Sequence, residues 1–157
     1  MTSLELFNAI QNSSIGVFIG KQDRMLWAVA QIIHIAGIIL LLAPIVLVSL
    51  RLFRFSLYQQ PLPKLARESN RLIWLGLGLL LFSGLLIFIP AALHYHDNPV
   101  FWIKLYLILA ALFFQFTLYR IVTRLEKPNP WLGGFTAVLT LVLWFGVAFA
   151  GRFIGFV

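Results

Sequence analysis

The chain contains no cysteine. That excludes disulfides, thiolate metal sites and thiol catalysis. Charge is almost as scarce: Asp, Glu, Lys and Arg make up 11% of the 157 residues, where a soluble domain carries roughly a quarter. Only five residues are acidic (Glu5, Asp23, Glu68, Asp97 and Glu126), and all five fall outside the long apolar runs. Without carboxylates in those runs, the chain has no paired acids for hydrolysis and none of the buried acids of an ion-coupled transporter. It also lacks a glycine-rich phosphate loop, a zinc-hydrolase motif and any Ser–His–Asp arrangement, so no catalytic residue is assigned.

What remains is hydrocarbon. Hydrophobic residues make up 61% of the sequence, too many to hide inside a globule of this size, so lipid is the natural solvent. Four apolar runs reach the ~20 residues that a membrane span requires: about 27–50, 72–93, 100–119 and 131–150. All four are expected to be helices, because lipid offers no partner to an open backbone group. The fold class is therefore all-α, an integral-membrane four-helix bundle over residues 25–157. Asn70, Asn98-Pro99 and Asn129-Pro130 read as helix starts, and Pro44 and Pro90 as kinks. Residues 1–24 lack the basic start of a signal peptide. Thr2 and Glu5 fit a capping box, with Leu6, Phe7 and Ile10 on one face, which predicts a short amphipathic helix lying in the membrane interface.

The net charge of +7 does not indicate nucleic acid, because the basic residues sit in loops between the runs. Arg51, Arg54, Lys64, Arg67 and Arg71 follow the first run, and Arg120, Arg124 and Lys127 follow the third. Lys21, Arg24, Lys104 and Arg152 belong to the other side. The richer side is expected to be cytoplasmic. Both termini and the turn "HYHDN" then face outward, away from the cytoplasm. Trp27, Trp74, Trp102 and Trp131 lie near run ends as an interfacial belt would, and Trp144 lies deeper.

Three groups of residues are candidates for chemistry. His34 stands about ten residues into the first run, ~15 Å deep by helical rise. Ionisable groups at that depth usually face a bundle interior or a cavity. Neutral imidazole is a ligand for haem iron or copper; the plainer role is a hydrogen bond to a neighbouring helix or to Gln31. The matching depth falls near Ser83 and Gly84 on the second run, and near Trp144 to Gly146 on the fourth. Ala30, Gly37, Gly76, Gly78 and Gly84 leave room for close helix packing or for a flat macrocycle. His94 and His96, with Asp97, form a second cluster suited to copper or zinc, and His94 is a second-ligand candidate beside His34. Lys104 and Arg152 share the outer half with His34 and could anchor a haem propionate or a quinone oxygen, or reach for the headgroups. Gln115, Thr117, Thr136 and Thr140 read as ordinary helix-packing polarity.

The motif order carries a family resemblance. "IIHIAG", "LRLF", "GLLLFSGLLIF", "NPVFWIKL" and the closing "GRFIGF" resemble the small four-helix bacterial inner-membrane proteins grouped as domain of unknown function 6644, over nearly the whole chain. More distantly, an outward-facing histidine in the first helix is similar to copper-resistance membrane proteins and membrane haem b cytochromes. The resemblance implies a fold and a multi-pass inner-membrane location, not an activity. Three functions remain open: a small redox subunit holding haem b or copper, a non-catalytic accessory subunit of a larger membrane complex or a homo-oligomer, and a copper-handling protein. Each is discriminated by replacing His34 or His94 and His96.

Overall fold

A computed structural model of the chain describes residues 2–55, 57 and 59–156. The described residues are helical almost throughout. Two short helices, α1 (Ser3–Gln11) and α2 (Ser14–Gly20), precede the long α3 (Arg24–Leu52). Then come α4 (Leu62–Phe88), a 3₁₀ turn at Ile89–Ala91 and the short α5 (Ala92–His96). Helix α6 (Pro99–Phe114) passes through a π-helical turn at Gln115–Tyr119 into α7 (Arg120–Thr123). Helix α8 (Pro130–Phe153) ends the chain with a 3₁₀ turn. Four of these segments (Arg24–Leu52, Leu62–His96, Pro99–Thr123 and Pro130–Phe156) are long and apolar enough to cross a membrane.

The starts follow capping chemistry. Asn98 Oδ1 accepts from the Val100 and Phe101 amides, and Asn129 Oδ1 from the Trp131 amide, each with Pro in the first turn. The capping box is complete: Glu5 N donates to Thr2 Oγ1 and Thr2 N to Glu5 Oε2. Asn70, by contrast, caps nothing. It is exposed in mid-helix, and α4 begins at Leu62 behind Pro61. Hydropathy fails as a guide there because the first turns of α4 are amphipathic. Leu62, Leu65, Ala66 and Ser69 turn inward at helical spacing, and Lys64, Arg67 and Arg71 point out.

The tightest helix contact is the antiparallel α3–α4 seam, and α8 packs between α3 and α6. In the seam, Gly37 and Gly76 bring backbone against backbone. A Cβ on Gly76 would lie 2.7 Å from Leu41 N and 2.8 Å from Gly37 O. Small residues at membrane-helix contacts serve this close approach, because dispersion replaces the hydrophobic effect in lipid. Gly78, two residues away, faces open space. Two core clusters result. Leu41, Ile45, Ile73, Leu77, Ala111 and Trp144 fill one; Val48, Leu52, Leu62, Leu65, Tyr119 and Val122 fill the other. Buried Thr123, Thr136 and Thr140 donate to carbonyls one turn back on their own helices, so they bring polarity inside without stranding a donor.

Helix α3 runs unbroken through Pro44, whereas Pro90 interrupts α4. The interruption is repaired in trans: Gln11 Oε1 accepts from the Leu93 amide at 2.9 Å. The single N-terminal helix expected from the sequence is two helices, divided at Asn12–Ser13, where Ser13 caps α2. Helix α1 is packed onto α5 by Phe7, 7% exposed. Its ring sits 5.6 Å from Phe88, 5.1 Å from His96 and 5.8 Å from Trp102, centroid to centroid. Replacing Phe7 by Ala should release α1 while leaving the four long helices assembled. The site lies at the end of the bundle and can relax, so about 2 kcal/mol is expected, below the usual range for a buried Phe. The check is amide exchange across residues 3–11, expected to rise about thirtyfold. Unchanged exchange there would show that Phe7 does not hold the helix.

Candidate functional site

His34 emerges from α3 one turn before Gly37, so the glycine seam fixes its distance from α4. Its Nδ1 lies 2.9 Å from Ser83 Oγ, and its Cε1 lies 3.7 Å from where a Gly84 Cβ would stand. The depth-matching that placed Ser83 and Gly84 opposite His34 is thus met, and Ser83 rather than Gln31 is the partner. Gln31 is exposed.

The hydrogen bonds define the tautomer. A serine hydroxyl has one proton, and that of Ser83 is directed at Leu79 O, 2.6 Å away. Ser83 Oγ therefore accepts from His34, and Nδ1 carries the hydrogen. Nε2 is left with its lone pair and has no partner among the described residues. Metal-bound histidines show this arrangement, one ring nitrogen fixed by a hydrogen bond and the other free to ligate. A complete interhelical hydrogen bond shows it too.

Lys104 lies near the start of α6 and is half-buried. Its stem crosses Gly151 of α8: a Cβ there would lie 3.2 Å from Nζ and 3.5 Å from Cε. The ammonium has no acidic partner among the described residues. Arg152 is exposed and turns to the ring of Phe156, 5.2 Å from its centroid, a cation–π contact.

His94 and His96 are placed otherwise. His94 is exposed, beside Tyr95. His96 has both ring nitrogens engaged, Nδ1 with Asp97 Oδ1 at 2.8 Å and Nε2 with Ser3 Oγ at 3.2 Å. Among the described residues, no group of three His, Cys, Asp or Glu side chains stands ready to hold a metal ion. The structure therefore joins His34 to Ser83 and leaves His94 and His96 outside that site.

Two features were not anticipated, the seat of α1 and the π-helical turn at Gln115, whose role as helix-packing polarity was expected. Ser3, Phe7 and Gln11 use α1 as a clamp over the 3₁₀ break and the histidine turn; the capping box and apolar stripe announced the helix but not its seat. Gln115 opens the π-helical turn and is buried, its Oε1 accepting from Trp144 Nε1 at 3.4 Å. A buried glutamine in an apolar run was the available signal.

Four helices long and apolar enough to cross a membrane, two of them closed on each other at a glycine seam, match the class of small multi-pass helical membrane proteins in length and composition. The chain belongs to the Family of unknown function (DUF6644), which matches residues 6–157. No curated protein and no solved structure matches it, so the more distant resemblance to copper-resistance proteins and haem b cytochromes gains no support from these comparisons.

Proposed function

We propose that this protein is a small redox subunit of a bacterial inner membrane, with His34 offering Nε2 to a haem b iron or to copper. The observation that supports this reading is the pair of distances at Ser83, 2.9 Å to His34 Nδ1 and 2.6 Å to Leu79 O, from which we infer an Nδ1–H tautomer with the Nε2 lone pair uncommitted. Intramembrane ionisable groups are costly and mark functional sites by default. Lys104, with no acidic partner among the described residues, would be the anchor for a propionate or another anionic group. In this reading the basic loops face the cytoplasm and both chain ends the periplasm, as the charge bias requires. The α3–α4 seam is filled by its own backbone and has no space for a macrocycle. A bound group would therefore have to sit at the margin of His34, and a second copy or another subunit would have to supply its remaining ligands. When bound, it would supply one-electron transfer; the chain's own residues hold and orient it.

A second reading has its own observation. The His34–Ser83 bond already joins α3 to α4 and needs nothing more. The protein is then a non-catalytic accessory bundle. Copper handling rests on His94 alone, since His96 is fully engaged.

The test is the absorption spectrum of the detergent-purified protein, oxidised and dithionite-reduced, with metal analysis of the same sample. Haem b bands or bound copper are expected in the wild type, lost in His34→Ala and kept in His94→Ala and His96→Ala. A flat, copper-free result from folded protein made in haem-replete cells would overturn the redox reading in favour of the accessory one.

A further inference from the structure

The opposite end of the bundle carries a second site, independent of His34. The C-terminus of α3, the N-terminus of α4 and the approach to α8 enclose a cleft of about 330 Å³. Arg51, Arg54 and Lys127 line it above buried Leu52 and Leu62, and a single acid, Glu126, is exposed at its edge. Arg51 is held in place: its Nε donates to Gln60 O at 3.1 Å, which leaves its terminal NH₂ groups without partners among the described residues. Trp131, 88% exposed, opens α8 beside the cleft, and tryptophan at a span end favours the headgroup level.

A shallow, wide-open and wholly apolar groove runs along the outer face of α3, lined by Ile38, Ile39, Leu42, Ala43, Val46 and Leu47. Leu47 and Arg51 are one helical turn apart on the same face. The groove therefore leads toward the cationic cleft. Cationic groups at the span end and a hydrocarbon trough below them match the anatomy of a phospholipid. Basic pockets between helix ends bind anionic headgroups. We propose that this end of the bundle holds one anionic phospholipid, its phosphate among Arg51, Arg54 and Lys127 and an acyl chain in the α3 groove. The shared chemistry is a phosphate oxyanion. The groove commits the site to the lipid rather than to free phosphate.

The experiment is native mass spectrometry of the whole chain in micelles containing equal phosphatidylglycerol and phosphatidylcholine. Phosphatidylglycerol should be retained in preference. Three cationic side chains near an anionic headgroup are each worth about a factor of five. The triple variant Arg51→Gln, Arg54→Gln, Lys127→Gln should therefore lose retention by at least about tenfold, allowing for Glu126. A control with the same charge loss outside the cleft (Lys64→Gln, Arg67→Gln, Arg120→Gln) should retain lipid within about twofold. Ala43→Trp fills the groove without changing charge and should lower retention as well, which keeps the test open if the cleft variant does not fold. Three results would overturn the proposal. One is equal retention of the two lipids, and another is equal loss in both triple variants. The third is cleft-dependent binding of inorganic phosphate with no preference for phosphatidylglycerol.

Discussion

Gly76→Ala should be among the most damaging single-methyl changes in this protein. Its added carbon would lie 2.7 Å from Leu41 N, 2.8 Å from Gly37 O and 3.0 Å from Leu40 C. All three are backbone atoms, so no side-chain rotation relieves the clash, and α3 and α4 must separate. Overpacking costs up to about 3 kcal/mol, and more where backbone has to move; about 3 kcal/mol or more is expected here. Gly37→Ala should cost less, because its nearest contacts, Gly76 O and Leu80 Cγ at 3.0 Å and Leu80 N at 3.1 Å, are longer than those at position 76. Gly78→Ala meets nothing within 4 Å and should stay within about 0.5 kcal/mol of wild type. Unfolding by sodium dodecyl sulfate in mixed micelles measures all three. Equal losses at positions 76 and 78 would refute the seam as the basis of the α3–α4 contact. The consequence reaches the site as well: His34 is one turn from Gly37, so parting the helices stretches the 2.9 Å bond to Ser83.

The sequence showed some of this plainly and hid the rest, for physical reasons. The four long apolar segments were legible because a span must be long and apolar whatever it packs against. The Asn-Pro starts of α6 and α8 were legible because capping is local. Asn70 misled because the same residue type is unremarkable on an exposed helix face, and the amphipathic turns from Leu62 carry α4 beyond its apolar run. Ser83 opposite His34 followed from depth alone, since both antiparallel helices reach the same outer level and helical rise fixes the depth below it. The seat of α1 was not legible. It depends on Phe7 meeting Phe88, His96 and Trp102 and on Gln11 meeting Leu93, contacts between residues more than eighty apart in the chain. Nor could spacing show that Ser3 and Asp97 occupy both nitrogens of His96. Those two contacts engage both ring nitrogens of a histidine that the sequence offered as a metal ligand.

The pair His34 and Ser83 bears most directly on function, and a double-mutant cycle with two readouts separates its roles. Ser83→Ala should strand the Nδ1–H of His34 at a cost of about 1–2 kcal/mol. His34→Leu removes donor and need together, so adding it to Ser83→Ala should recover most of that loss. A coupling of about 1 kcal/mol is expected, within the range measured for interhelical hydrogen bonds in membranes. Absence of coupling would refute the bond itself. The second readout is cofactor occupancy. Partners that orient a ligating histidine typically contribute ten- to a hundredfold in affinity. If Nε2 ligates, Ser83→Ala should lower haem or copper occupancy by about that factor, while Ser83→Thr, which keeps the acceptor, should largely preserve it. An accessory bundle would show the stability coupling with no cofactor to lose. The same bond predicts both outcomes in stability, and only the free lone pair on its far side distinguishes them.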